Sequence, residues 1–165
     1  MSYKIIDNFL PEPLALKLSE FLLSSDFPYY YQYSVSYFDP TDHHYYFNHQ
    51  LYRSGAVTSW YFNQIVPQFL EKLSIDNLLR AKINAYPREH QQVIHALHTD
   101  LREPHQSAIW SANDCNGATR IIVDDQVIDI ASKHNRMIIF DGSIEHAPIS
   151  QTDTKLRVNI NFNFN

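Results

Sequence analysis

Three glycines in 165 residues exclude a collagenous or glycine-rich low-complexity chain, since both need that residue at high density. A single cysteine, Cys115, excludes any internal disulfide and points to a reducing compartment. No apolar run approaches the length of a membrane span, and the opening Met1-Ser2-Tyr3-Lys4 has no signal-like apolar core. Positive charge is short as well. The formal charge of -5 offers no general field for nucleic acid or anionic lipid. These absences set the expectation of a soluble cytoplasmic protein that binds neither nucleic acid nor membrane. No repeat and no linker divides the sequence, so 1–165 is expected to be one domain, long enough to bury a core. No pattern speaks to oligomeric state.

Aromatic residues are abundant, and apolar periodicity organises most of the chain. Lys4–Leu10 reads as a short strand. Pro13, placed where a first helical turn tolerates proline, opens a helix whose stripe is Leu14, Leu18, Phe21 and Leu22. Tyr29–Phe38 reads as a strand, and Asp39–Arg53, with His43, His44, His49 and Pro40, as a loop. A second helix is predicted over Ala56–Leu73, with Val57, Trp60, Tyr61, Ile65, Phe69 and Leu73 on one side and a bend at Pro67. The period then changes to two. Strands are expected at Arg80–Tyr86, Gln92–His98, Ser107–Asn113, Thr119–Val123, Val127–Ile130, Asn135–Phe140 and Leu156–Phe164. Two helices followed by seven short strands predict a mainly β, α+β chain: an antiparallel barrel or jelly roll.

Two strands alternate sharply. In the last, Val158, Ile160, Phe162 and Phe164 share one face, and Arg157, Asn159, Asn161 and Asn163 the other. In Arg80–Tyr86, Ala81, Ile83 and Ala85 alternate with Lys82, Asn84 and Tyr86. Such a pattern fits a sheet with one solvated face, or one whose apolar face is covered by helices while its polar face lines a cavity.

His98-Thr99-Asp100 carries the chemistry. Residues two apart on a strand point the same way, so an imidazole and a carboxylate can converge on one ion. His146, in Asp141-Gly142-Ser143-Ile144-Glu145-His146-Ala147-Pro148, is the best candidate for a third ligand. Two histidines and a carboxylate on one face of an ion leave the opposite face open, as in the facial triad of non-haem iron(II) oxygenases.

From Asn84-Ala85-Tyr86 through His98-Thr99-Asp100, Asn116-Gly117-Ala118-Thr119, Asn135–Gly142 and His146 to Arg157-Val158-Asn159, the chain resembles a known family. This is the iron(II)- and 2-oxoglutarate-dependent dioxygenases, in their small prolyl-4-hydroxylase-like branch of phage and bacterial type. The resemblance implies a double-stranded β-helix (a cupin-like jelly roll) with the N-terminal helices packed on one sheet. It implies His98, Asp100 and His146 as ligands of iron(II), and 2-oxoglutarate and dioxygen as cosubstrates. Arg157, eleven positions after His146, matches the basic residue that holds the distal carboxylate of 2-oxoglutarate. Tyr86 matches a tyrosine that donates its hydroxyl to the same molecule, and Asn84 stands where some branches place a further contact. The sequence departs from the family in having Ala118 after Gly117 and no glycine between Tyr86 and His98. The implied activity is hydroxylation, with a peptide or small molecule as substrate: peptidyl proline first, an amino acid next. Two rivals are a non-catalytic jelly-roll binding module and a cupin-like metal enzyme that does not use 2-oxoglutarate. His43, His44, His90, His95, His105 and His134 are expected to be non-ligands, with His105 a possible neighbour of the triad. Tyr37–Arg53 is expected either to form a lid or substrate wall or to pack as satellite core.

Overall fold

Alternating strands pair through their backbones, and the alternation decides which side chains each face presents. The computed structural model describes residues 3–35 and 44–165. In chain order its elements are β1 (Tyr3–Ile6), α1 (Glu12–Leu23), β2 (Tyr30–Gln32), β3 (Tyr46–Arg53), β4 (Ala56–Val57), α2 (Phe62–Ile65), α3 (Pro67–Leu73) and β5 (Leu78–Pro87). There follow β6 (Gln106–Ser111), β7 (Ala118–Val123), β8 (Gln126–Ala131), β9 (Arg136–Asp141), β10 (His146–Ile149) and β11 (Leu156–Phe164). The larger sheet runs β1-β9-β6-β11-β5-β3-β2, with β4 added on β3, and the smaller runs β10-β7-β8. Every pairing is antiparallel. Two isolated bridges, Ile94 to Ile149 and His98 to His146, lay the 92–98 segment along β10 as a fourth line of the smaller sheet. The expected strand there is corrected to these two bridges. The result is a mainly β jelly roll.

The larger sheet separates two kinds of interior. On its outer face Ala81, Ile83, Trp110, Ile160 and Phe162 pack under α1 and α3. Phe69 of α3 is the hub, its ring 4.9 Å from Phe162 and 5.5 Å from Trp110. On the inner face Ile109, Ile138 and Phe140 meet Ile121, Val123 and Ile130 of the smaller sheet. This apolar cluster closes one half of the space between the sheets. The other half is lined by the polar faces of β5 and β11. The alternation in those strands therefore marks a sheet covered by helices on one side and facing a cavity on the other. Asn135, fully buried, fastens the entry to α1: its side chain accepts from the backbone N–H of Leu10 and from Trp110 Nε1, and donates to Leu10 O.

Three further expectations need correcting. The loop expected over Asp39–Arg53 is, from Tyr46 onward, the strand β3, paired with both β2 and β5. Tyr46, His49 and Leu51 are buried in it, so this half of the segment belongs to the sheet, whereas 36–43 lie outside the described residues. The single helix over Ala56–Leu73 is instead a hairpin return (β4) followed by two short helices meeting at Pro67. Ser54 and Gly55 both take positive φ, the combination that a two-residue hairpin turn demands, so the chain folds back before any helix can begin. Trp60, placed above on the apolar side of that helix, is 95% exposed.

Candidate metal centre

The β10 backbone places the first two site residues. His98 N–H donates to His146 O at 3.0 Å, and His146 N–H donates to His98 O at 2.9 Å, so the rings sit side by side with centroids 4.6 Å apart. Each Nδ1 contacts a nearby carbonyl, Ala96 O for His98 at 3.2 Å and Ile144 O for His146 at 3.3 Å. A proton held there leaves each Nε2 with a free lone pair. Asp100, one pleat further on, brings Oδ2 to 3.7 Å from His146 Nε2. One potential ligand atom from each of His98, Asp100 and His146 lies within 4.8 Å of the others. The structure thus brings the three together.

Asp100 is held from behind by the inner faces of β5, β6 and β11. Asn161 and Asn163 donate to Oδ2 at 3.0 and 2.9 Å, and Arg80 Nη2 forms an ion pair with Oδ1 at 2.5 Å. Burial would raise this carboxyl, but Arg80, His146, Lys82 and the Asn163 bond outweigh it and keep it well below the usual carboxylate range. His146 is pulled down to about 4, chiefly by burial, and His98 is lowered for the same reason. One ionised carboxylate beside two neutral imidazoles is the protonation state that takes a divalent ion.

The depressed imidazole has a stability consequence. Folded His146 stays neutral down to about 4, whereas in the unfolded chain it takes a proton near its ordinary value of about 6.5. Its contribution is complete above about pH 6.5 and is lost as pH falls toward 4, where the unfolded state binds the extra proton. Urea unfolding of the metal-free protein at pH 7 and pH 4.5 should show a drop up to about 3 kcal/mol larger for wild type than for His146→Gln. Equal drops would mean that this imidazole is not held neutral.

On the far side of the triad a buried chamber holds Arg157, 1% exposed. One terminal nitrogen of its guanidinium, Nη2, donates to Thr119 Oγ1 at 2.9 Å, and the plane lies 5.4 Å from the centre of the Tyr86 ring. Nε and Nη1 are buried without a partner. Burial lowers the arginine and raises the Tyr86 phenol, which stays a hydroxyl donor at neutral pH. Tyr86 is stacked on Tyr46 with centroids 5.5 Å apart. Asn84 lines the chamber between Tyr86 and Lys82 and donates to Asn159 Oδ1 at 2.9 Å. Orphaned N–H groups on a buried guanidinium are costly unless an acceptor arrives. A carboxylate supplies two, so the donor set fits the distal end of 2-oxoglutarate. Gly117 lets the Arg157 side chain and the β10 backbone pack closely on it, because a Cβ there would come 2.9 Å from Ile149 O and 3.0 Å from Arg157 Cδ.

Sequence reasoning missed Arg80, Lys82, Thr119 and Asn163 as site residues. The signal was present, since Arg80 and Lys82 continue the inward face of Asn84 and Tyr86 at a period of two. The other histidines stand apart from the triad. His49 contacts Pro28 O and Ser59 Oγ at 2.7 and 2.6 Å, and His134 lies against Glu12. His90 is exposed, and His44 and His95 meet edge to face. His105 points its Nδ1 at Glu103 O and packs under Gly142, not against Asp100. His43 lies outside the described residues.

No protein-family model and no curated protein matches the chain. Solved structures do. A 2OG-Fe(II) oxygenase family oxidoreductase from Burkholderia pseudomallei superposes with a TM-score of 0.74 at 12% identity, over 98% of this chain and 84% of that one. A prolyl-4-hydroxylase from Pseudomonas putida gives 0.68 at 12% identity, over 98% and 91%. A Trichoplax adhaerens prolyl hydroxylase, in complex with a peptide fragment of the hypoxia inducible factor oxygen degradation domain, gives 0.67 at 14%, over 98% and 83%. At these identities it is the fold that is shared: the chain has the jelly-roll fold of the 2OG-Fe(II) oxygenases.

Proposed function

We propose that the protein is an iron(II)- and 2-oxoglutarate-dependent dioxygenase that hydroxylates a peptide or small-molecule substrate. The observation that carries this reading is the pairing of two sites in one cavity: a triad of two neutral histidines and a carboxylate, and a buried arginine with unpaired N–H groups. His98, Asp100 and His146 hold the ion, and Arg157, with Tyr86 and Thr119 beside it, holds the distal carboxylate of 2-oxoglutarate. Asn84 shapes the chamber wall. Bound iron supplies the coupling of dioxygen and 2-oxoglutarate to substrate oxidation, with succinate, carbon dioxide and a hydroxylated substrate as products. The protein's own part is positioning. Asn161, Asn163 and Arg80 fix the Asp100 carboxylate so that it need not reorganise, and the apolar wall of Ile109 and Phe140 keeps water from one side.

A non-catalytic jelly-roll binding module has no use for a buried arginine lacking acceptors, and a cupin-like metal enzyme without 2-oxoglutarate has none either. Anaerobic titration with iron(II) and then 2-oxoglutarate separates the three. Our reading expects metal binding followed by saturable 2-oxoglutarate binding that depends on the metal, and succinate release once air is admitted. Metal binding with no response to 2-oxoglutarate would favour the cupin-like enzyme, and no metal binding the binding module. The resemblance and the Trichoplax neighbour's peptide favour peptidyl proline or an amino-acid-type substrate.

A further inference from the structure

Two cavities meet at the triad, and they differ in what they offer. The chamber around Arg157 is tight, about 40 Å³. A wider groove of about 700 Å³ opens on the other side of Asp100, between the end of β3, the start of β5 and the 99–103 segment. Both are lined by Lys82, His98 and Asp100. The register puts Lys82 opposite Asn161, and Tyr86 opposite Arg157, on the paired strands β5 and β11. Lys82 and Arg157 are therefore four residues apart along the sheet, about 13 Å. A distal carboxylate held at Arg157 would therefore sit four residues along the sheet from the Lys82 position.

The groove walls carry Arg53, Arg80, Lys82 and Arg102 against Asp100 and Glu103. A net positive wall in a chain of formal charge -5 is a local arrangement, not a reflection of composition. Arg53 stands directly across from Arg80 on neighbouring antiparallel strands, a like-charge pair that costs stability by itself. Arg80 is committed to Asp100, and Asp100 is already engaged by Asn161 and Asn163 as well. Lys82 has no hydrogen bond or ion pair among the described residues. Burial, Arg80 and Arg53 all disfavour its ammonium, opposed by Asp100 alone, and together bring it down to about 8. A metal ion on Asp100 would take up that compensating charge.

We propose that Lys82, supported by Arg53, is a carboxylate-binding subsite for the substrate, on the side of the triad opposite Arg157. The inference rests on the dioxygenase reading above and adds a substrate class to it: the oxidised molecule carries a carboxylate that anchors it in the groove. That carboxylate belongs either to a free amino acid or to an acidic side chain in a peptide. Lysine suits the task as a mobile point charge with three donors, able to follow substrates of slightly different length.

The test uses redox-inert nickel(II) in place of iron, with 2-oxoglutarate bound. Matched probes are the proteinogenic amino acids against their carboxamides, and acetyl- and amide-capped Asp and Glu against capped Asn and Gln. Binding is read by saturation-transfer NMR and calorimetry. At least one pair should favour the acid by about tenfold, the size of one charge-assisted hydrogen bond, and which set responds identifies the source of the carboxylate. Lys82→Gln should bring that ratio close to one with 2-oxoglutarate affinity unchanged. Arg53→Gln, at an exposed position, should narrow the ratio without affecting folding. No acid preference in wild type, or one that survives Lys82→Gln, overturns the subsite. A tenfold loss of 2-oxoglutarate affinity in Lys82→Gln overturns it too, by placing the lysine on the cosubstrate. The same probes read without metal separate the two claims. If nickel and 2-oxoglutarate do not bind but the Lys82-dependent preference persists, the dioxygenase reading falls and the subsite stands.

Discussion

His98→Gln and His146→Gln are expected to fold normally, to bind iron(II) about a hundredfold more weakly and to release no succinate. A four-ligand structural site gathers roughly 10–16 kcal/mol of apparent binding energy, so one ligand is worth about 3 kcal/mol, or about a hundredfold. The fold should survive because the two residues are tied through their backbones, by the reciprocal N–H to carbonyl bonds at 2.9 and 3.0 Å that no side-chain change removes. Asp100→Ala is a different case. Among the described residues Asp100 is the only acceptor of the Asn161 side-chain amide, and it is the counter-ion of Arg80. Removing it leaves buried donors and a half-desolvated guanidinium without compensation, a loss of about 3 kcal/mol. Calorimetric iron(II) titration alongside urea unfolding checks both statements. Unchanged iron affinity in both histidine variants would remove the triad from the metal, and an Asp100→Ala protein as stable as wild type would show that Arg80 finds another partner.

How much of this was legible in the sequence depended on whether a strand keeps its period. β11 alternates without interruption across its polar and apolar faces, and its two sides could be assigned from the letters alone. β3 could not. It buries residues from both faces, Tyr46 against Tyr86 on the cavity side and His49 and Leu51 on the other, and its pairing with β5 slips between Gln50 and Tyr52. A bulge of that kind erases the period-two signal, and the asparagine, histidine and glutamine in the strand made it look like a loop. β10 was hidden differently: four residues long, with Pro148 inside it, it is recognisable only through its partner β7. The triad itself was readable because two of its members are two residues apart and the third sits in a recognisable turn. The basic groove was not, because Arg53 and Arg80 are distant in sequence and face each other only once β3 and β5 pair. Cross-strand neighbours of like charge are a tertiary fact.

Arg157→Met is expected to separate stability from function, with opposite signs. In the protein without cosubstrate the guanidinium is fully buried, bonded to Thr119 through one nitrogen and stacked near Tyr86, with Nε and Nη1 unsatisfied. Replacing a buried, under-compensated charge by an apolar chain of similar length is commonly neutral or stabilising by roughly 1–4 kcal/mol. Loss of the Thr119 bond offsets about 1 kcal/mol of that. Methionine fits because it is unbranched and lies along the same path beside Gly117. The unliganded variant should therefore melt at or above the wild-type temperature. With metal present the outcome reverses. A carboxylate entering the chamber finds two fewer charge-assisted donors, a loss of about 3 kcal/mol, so 2-oxoglutarate should bind about a hundredfold more weakly while iron(II) affinity stays within a few-fold. Melting curves recorded with and without saturating 2-oxoglutarate read both effects in one experiment, since a ligand that binds only the folded state raises the melting temperature in proportion to its affinity. Wild type should gain from 2-oxoglutarate where the variant gains little. Should the variant melt lower than wild type without ligand and still gain equally from 2-oxoglutarate, Arg157 would be a structural arginine, and the cosubstrate would have to be held elsewhere in the cavity.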